Sequence, residues 1–208
     1  MEIESYDPYH IGIKLKSHVD LKAFEKKIKE SLKKKNFVVN EENITDSPIP
    51  KSDILGKKGN VNILLNMVSW AINSVGDKPN DVIKIFNEVF DTIQSSGYEE
   101  DATINFYEII TNISIKTNKK PIELLNKNLK LDLKYLANND KLNVLGVRIG
   151  DKLPEDGTDF TQIIIEPKPT SPNNRMLIVV GYRSSKKEKL NTFHYDLNTK
   201  INKFLKQF

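Results

Sequence analysis

At 208 residues the chain is long enough for one domain or two small ones, and for a core that buries about 70% of the surface its unfolded form exposes. Hydrophobic residues make up 38% and charged residues 29%, which excludes a disordered polar chain, and the absence of Cys excludes disulfides, thiolate chemistry and Cys-ligated metals. A net charge of +4 permits contact with nucleic acid or another anionic surface without requiring it.

Taken in chain order, Tyr9, Ile11, Ile13 and Leu15 alternate with His10, Gly12, Lys14 and Lys16, which predicts a strand with one face buried. Ser17 to Asp20 reads as a capping box opening a helix that carries Leu21, Phe24, Ile28 and Leu32 on one side and lysines elsewhere. A short strand over 37–39 precedes a loop containing Pro48 and Pro50. Residues 55–60 place two glycines beside two lysines without the Walker spacing, so a β-turn is expected there. Val61, Ile63 and Leu65 pair with Trp70, Ile72 and Ser74 as a hairpin turning near Asn66 and Met67. Pro79 opens a second helix with Val82, Ile85, Phe86, Val89 and Ile93 on one face, and Gly97 closes it.

From 102 to 116 the chain is β-branched and aromatic. The apolar phase moves there from Ile104 and Phe106 to Ile109, Ile113 and Ile115, which predicts a β-bulge near Glu108. Pro121 opens a helix with Ile122, Leu125 and Leu129, and the alternation of Leu129, Leu131, Leu133 and Tyr135 allows an extended stretch before Asn138 and Asn139. Strands follow over 142–149, 160–166 and 176–183, the last two joined by a turn-rich loop over 167–174. A final helix carries Leu190, Phe193, Leu197, Ile201, Phe204 and Phe208 as one stripe.

The order strand, helix, several strands, helix thus occurs twice. The expected fold is α+β, a mainly antiparallel curved sheet covered by helices, built from two β-α-β(3-4)-α halves over 1–98 and 99–208 that share one sheet. Two separate small α+β domains are the alternative. In order of elements the chain resembles the saddle-like fold of the TATA-binding protein, where two such halves share one curved antiparallel sheet. Fold does not fix function, so the resemblance carries no residue and no activity across.

The chemistry-bearing residues are dispersed. His10, His18 and His194 form no H-x-x-x-H pair, and His194, beside the apolar stripe, reads as a boundary imidazole. There is no G-x-S-x-G elbow and no S-x-x-K on a helix beginning, so no residue is assigned a catalytic role and no cofactor is implied. Asp151, Glu155, Asp156 and Asp159 share an acidic loop whose oxygens suit a hard cation, although Asp in such loops also serves turn geometry. The basic candidates for nucleic-acid contact are Lys33, Lys34, Lys35, Lys57, Lys58, Lys186 and Lys187, with Tyr182 and Arg183 offering a ring beside a cation.

Three readings follow. The first is a non-enzymatic binding or assembly module, self-association included, because many strands mean edges to protect. The second is a nucleic-acid-associated protein using its lysine-rich helices or the sheet face. The third is a small-molecule-binding protein or enzyme with a pocket between sheet and helices, lined by Trp70, Tyr107 or Tyr182. No apolar run approaches the roughly 18 residues of a membrane span, and MEIESYDPYH lacks the regions of a signal peptide. The expected address is the cytoplasm, and the sequons at Asn43 and Asn112 then read as chance.

Overall fold

The computed structural model describes residues 1–128, 143–151 and 159–206. The first strand, β1 (Glu2–Leu15), buries Tyr9, Ile11, Ile13 and Leu15 to 1% exposure or less, as the alternation requires. It begins earlier than the alternation does, because the strand β6 (Ile104–Lys116) pairs with it from Glu2 onward. That ladder breaks between Tyr6 and Tyr9, where Pro8 has no N–H to donate.

Helix α1 (Leu21–Lys34) is capped by Asp20, whose carboxylate accepts from the Lys22 and Ala23 amides at 2.9 and 3.2 Å. The capping box expected at Ser17 is therefore corrected. An ionised carboxylate at the positive end of the helix satisfies two free amides, and the helix opens after it. Strand β2 (Val38–Val39) and a 3-10 turn (Ile44–Asp46) lead into β3 (Ser52–Lys58), β4 (Val61–Asn66) and β5 (Ala71–Gly76). The turn expected over 55–60 shrinks to Gly59 and Asn60, with Gly59 at a φ of 59°; Leu55 to Lys58 belong to β3 and Leu55 is fully buried. The next hairpin turns over Met67 to Trp70, so Trp70 lies in the turn and not in the second strand as expected, held at a φ of 50° while its carbonyl accepts from the Leu15 amide at 2.7 Å.

Helix α2 (Pro79–Ser95) runs as predicted, and Gly97 leaves it at a φ of 82°. A short helix, α3 (Glu100–Thr103), enters β6. The expected bulge at Glu108 is absent: β6 pairs with β9 (Arg175–Ser184) without interruption from Tyr107 to Lys116. The irregularity lies instead between Phe106 and Ile104, and the apolar phase slips because Phe106 faces the opposite side of the sheet, under the Arg183 guanidinium. Helix α4 (Pro121–Asn128), β7 (Val147–Gly150), β8 (Phe160–Pro167) and α5 (Lys187–Leu205) complete the described chain. Leu129, Leu131, Leu133, Tyr135, Asn138, Asn139, Leu142 and Phe208 lie outside the described residues.

All described strands form one antiparallel sheet in the order β2-β3-β4-β5-β1-β6-β9-β8-β7. The first strand of each half therefore sits at the centre, and the remaining strands run from the edge back inward, with β2 and β7 outermost and β5 and β9 beside the central pair. Helices α1, α2, α4 and α5 lie on one face, where Ile11, Ile63, Ile109, Ile165 and Ile178 belong to a single core with Phe24, Phe86, Leu125 and Leu197. Across the middle, the Tyr9 hydroxyl meets His194 Nδ1 at 2.7 Å and Tyr6 donates to Asn198, which ties β1 of the first half to α5 of the second.

Candidate binding surface on the open sheet face

The other face of the sheet carries no helix among the described residues, and strand register fixes what it presents. One row crosses it as Leu64, Asn73, Gly12, Glu108, Arg183 and Phe160. The next runs Asn62, Val75, His10, Ile110, Gly181 and Gln162, and a third continues as Asn112, Val179, Ile164 and Arg148. An antiparallel face turned to water is expected to read as polar positions alternating with the buried ones. Here it holds Leu64, Val75, Ile110, Val179 and Ile164 among amides, with Ile110 45% exposed and Val38, on the flanking edge, 77% exposed.

A polar niche sinks into the centre of this face. Gly12 and Ala71 form its floor, and cavities of about 240 and 110 Å³ share that floor together with Ser69, Asn73 and Glu108. The Asn73 amide lies directly over Gly12, where a Cβ would stand 2.2 Å from its Oδ1. Lys14 reaches from the wall to the Ser69 carbonyl, and Asn66 Oδ1 accepts from the Ser69 amide at 2.9 Å. His10 is half-buried beside them. Burial lowers its pKa, against the pull of the Glu108 carboxylate, so the imidazole is neutral at neutral pH.

Arg183 closes the niche on one side. Its guanidinium stands 3.8 Å from the centre of the Phe106 ring and 4.7 Å from that of Phe160, and it pairs with Glu108 at 3.1 Å. Its Nε is buried and has no hydrogen-bond partner among the described residues. At the far rim Arg175 forks onto Glu4 at 2.5 and 2.7 Å, and that hydrogen-bonded pairing holds the Glu4 carboxyl at about 2.

No family model and no curated protein matches the chain. Among solved structures, Methanococcus jannaschii TBP aligns over 100% of this chain and 98% of that chain, at 11% sequence identity and a TM-score of 0.38. Similarity at that level carries neither residues nor activity to this chain.

The residues singled out from sequence are divided between the two faces. Lys57 and Arg183 are on the open face, whereas Tyr182, one residue from Arg183, points to the helices and stacks on Phe193 at 4.0 Å. Lys33, Lys34 and Lys35 end α1 on the helix side, Lys33 paired with Glu41 and the Lys35 carbonyl accepting from Lys58. Lys58 pairs with Glu88 and lies over Phe37; Lys186 precedes α5, and Lys187 sits over the Phe90 ring. In the acidic loop, Asp151 accepts from the Thr161 amide and Asp159 from the Ser185 amide, while Glu155 and Asp156 lie outside the described residues. No cluster of three or more His, Cys, Asp or Glu able to hold a metal occurs among the described residues. His18 is exposed and His194 is 6% exposed. No helix among the described residues is long and apolar enough to cross a membrane.

The residues that sequence reasoning missed are Asn62, Asn66, Asn73, Asn112 and Glu108. Their signal was present as the non-core phase of the same strands, but nothing in a single sequence says whether that phase meets water or a partner.

Proposed function

We propose that the protein is a non-enzymatic, nucleic-acid-associated binding module that uses the open face of its sheet. One observation carries this reading: the uncovered face combines side-chain amides and aliphatic groups with cations at its margins. Proteins that enter a minor groove use that combination, with Asn, Gln, Arg and Lys meeting base-edge acceptors and apolar groups pressing on the sugars and base steps. Asn62, Asn73, Asn112 and Gln162 supply the amides, and Val75, Ile110 and Val179 the apolar surface. Lys57, Lys116 and Arg148 stand near the borders, placed to neutralise phosphates. The nine described strands, at a spacing of about 4.8 Å, give a face about 40 Å wide, close to one turn of a duplex.

Fluorescence anisotropy with a labelled A·T-rich duplex, repeated at rising salt, tests the reading. The expected outcome is an affinity that falls steeply with salt. Asn112→Asp and Val179→Glu should each weaken binding at least about tenfold, since each puts a charge of the wrong sign on the face. Lys34→Glu, on the helix side, should leave it within about twofold. No binding at low salt removes the proposal, and a large loss with Lys34→Glu alone moves the site to the lysine-rich helix.

A further inference from the structure

One side chain on the open face does not suit the groove of an A·T pair. In the three rows that cross the face, Glu108 is the one carboxylate among the described residues, and it stands at the middle, on β6 beside Gly12 of β1. A carboxylate only accepts hydrogen bonds. The minor-groove edge of an A·T pair also only accepts, through adenine N3 and thymine O2, so the two would meet acceptor against acceptor.

The cations near Glu108 do not remove that mismatch. Arg183 donates to Oε2 at 3.1 Å and leaves Oε1 without a donor among the described residues. The guanidinium is held against the Phe106 and Phe160 rings and its side chain is 16% exposed, against 26% for Glu108, so the carboxylate is the more accessible member of the pair. Lys14 is turned to the Ser69 carbonyl, and His10 is neutral. On the other side of Gly12 stands Asn73, whose amide makes no hydrogen bond among the described residues, and Asn73 and Glu108 line the same two cavities. Strands β1, β5 and β6, which carry these groups, lie within the continuously described 1–128.

A free acceptor and a free donor thus flank a recess whose floor has no side chain at Gly12. Guanine presents the matching pair, since its N2 amino group donates into the minor groove beside the N3 acceptor, and adenine has only a hydrogen in place of that amino group. We propose that the open face selects one guanine at the centre of its site, with Glu108 Oε1 accepting from the N2 amino group and the Asn73 amide donating to N3. Resting on the minor-groove reading above, this assignment adds the base that the centre of the face selects. Away from the centre, Asn62, Asn112 and Gln162 offer amide donors that suit A·T pairs, so the preference is confined to the middle.

Fluorescence anisotropy with short A·T-rich duplexes that differ only at one central pair tests it. A central G·C pair should be bound about tenfold more tightly than a central A·T pair. Inosine·C lacks the amino group but keeps the major-groove edge of G·C, and it should bind like A·T. Diaminopurine·T adds the amino group to an A·T pair, and it should bind like G·C. Glu108→Gln, whose amide both donates and accepts, should bring all four duplexes within about twofold of one another. Equal binding of the four by the unaltered chain overturns the assignment and leaves the minor-groove reading standing. A G·C preference that inosine retains belongs to the major groove and overturns both, as does failure to bind any duplex at low salt. A preference that survives Glu108→Gln overturns the role given to Glu108, and the four duplexes test the choice of base even if that variant fails to fold.

Discussion

Glu25 and Lys29 sit one turn apart on α1, and their side chains are 1% and 8% exposed with nitrogen and oxygen 2.7 Å apart. Periodicity alone placed both on a wet helix face, since lysines and glutamates fill the remaining positions of α1. The 3-10 turn overrides that reading by laying the Ile44 and Thr45 amides and the Thr45 hydroxyl on the Glu25 carboxylate. Burial raises the Glu25 pKa, but these donors and Lys29 outweigh it and hold it below the ordinary 4.5. Its contribution is therefore present at neutral pH and is lost as pH falls through the carboxylate range below 4.5. Glu25→Ala should cost about 3 kcal/mol in urea denaturation, because it takes the counter-charge from a buried ammonium that keeps only the Glu42 carbonyl and the Asn43 side-chain oxygen as acceptors among the described residues. Glu25→Leu combined with Lys29→Met should recover only the part of that loss due to the ammonium, since the Ile44 and Thr45 donors stay unpaired, and a double variant as unstable as the single one would contradict this account.

At the scale of the element, β6 shows why its phase was misread. Tyr107, Ile109, Ile113 and Ile115 keep one face throughout, and Phe106 breaks the pattern only because Arg183 covers its ring from the other side. An apolar residue that is satisfied by a cation–π contact cannot be told from one that is packed in a core when only the chain is read. The same strand carries a specific weakness. Thr111 is fully buried on the core face, and its hydroxyl has no hydrogen-bond partner among the described residues. Thr111→Val keeps the shape and the β-branch and removes the unpaired group, so it should raise stability by about 1 kcal/mol in the same denaturation measurement. A loss of stability would mean that the hydroxyl is satisfied.

Across the whole molecule, the two halves are joined by the β1·β6 ladder on the sheet and by the Tyr9–His194 contact beneath it. Burial pushes the His194 pKa from the ordinary 6.5 to about 4, so the folded protein holds this imidazole neutral. Between pH 6.5 and about 4 the unfolded chain binds a proton that the folded chain does not, and stability falls as pH descends through that window. The urea midpoint should drop correspondingly, and the drop should be smaller in the double variant Tyr9→Phe, His194→Leu, which removes the titrating ring together with its partner. Equal acid sensitivity in the two proteins would show that His194 does not titrate at this seam.

The sequence by itself determined the class of fold and most of its elements. Periods of two and 3.6 are local properties of β1, β4, α2, β9 and α5, and Pro79 and Gly97 bound α2 through backbone geometry alone. Only the tertiary structure decided which polar residues face solvent, which face each other, and which side of the sheet remains bare. Tyr182 and Arg183 illustrate the limit, since they are adjacent in the chain yet lie on opposite faces. The open face arises from what the helices leave uncovered. Coverage depends on how separate elements pack, and no periodicity within one element records it.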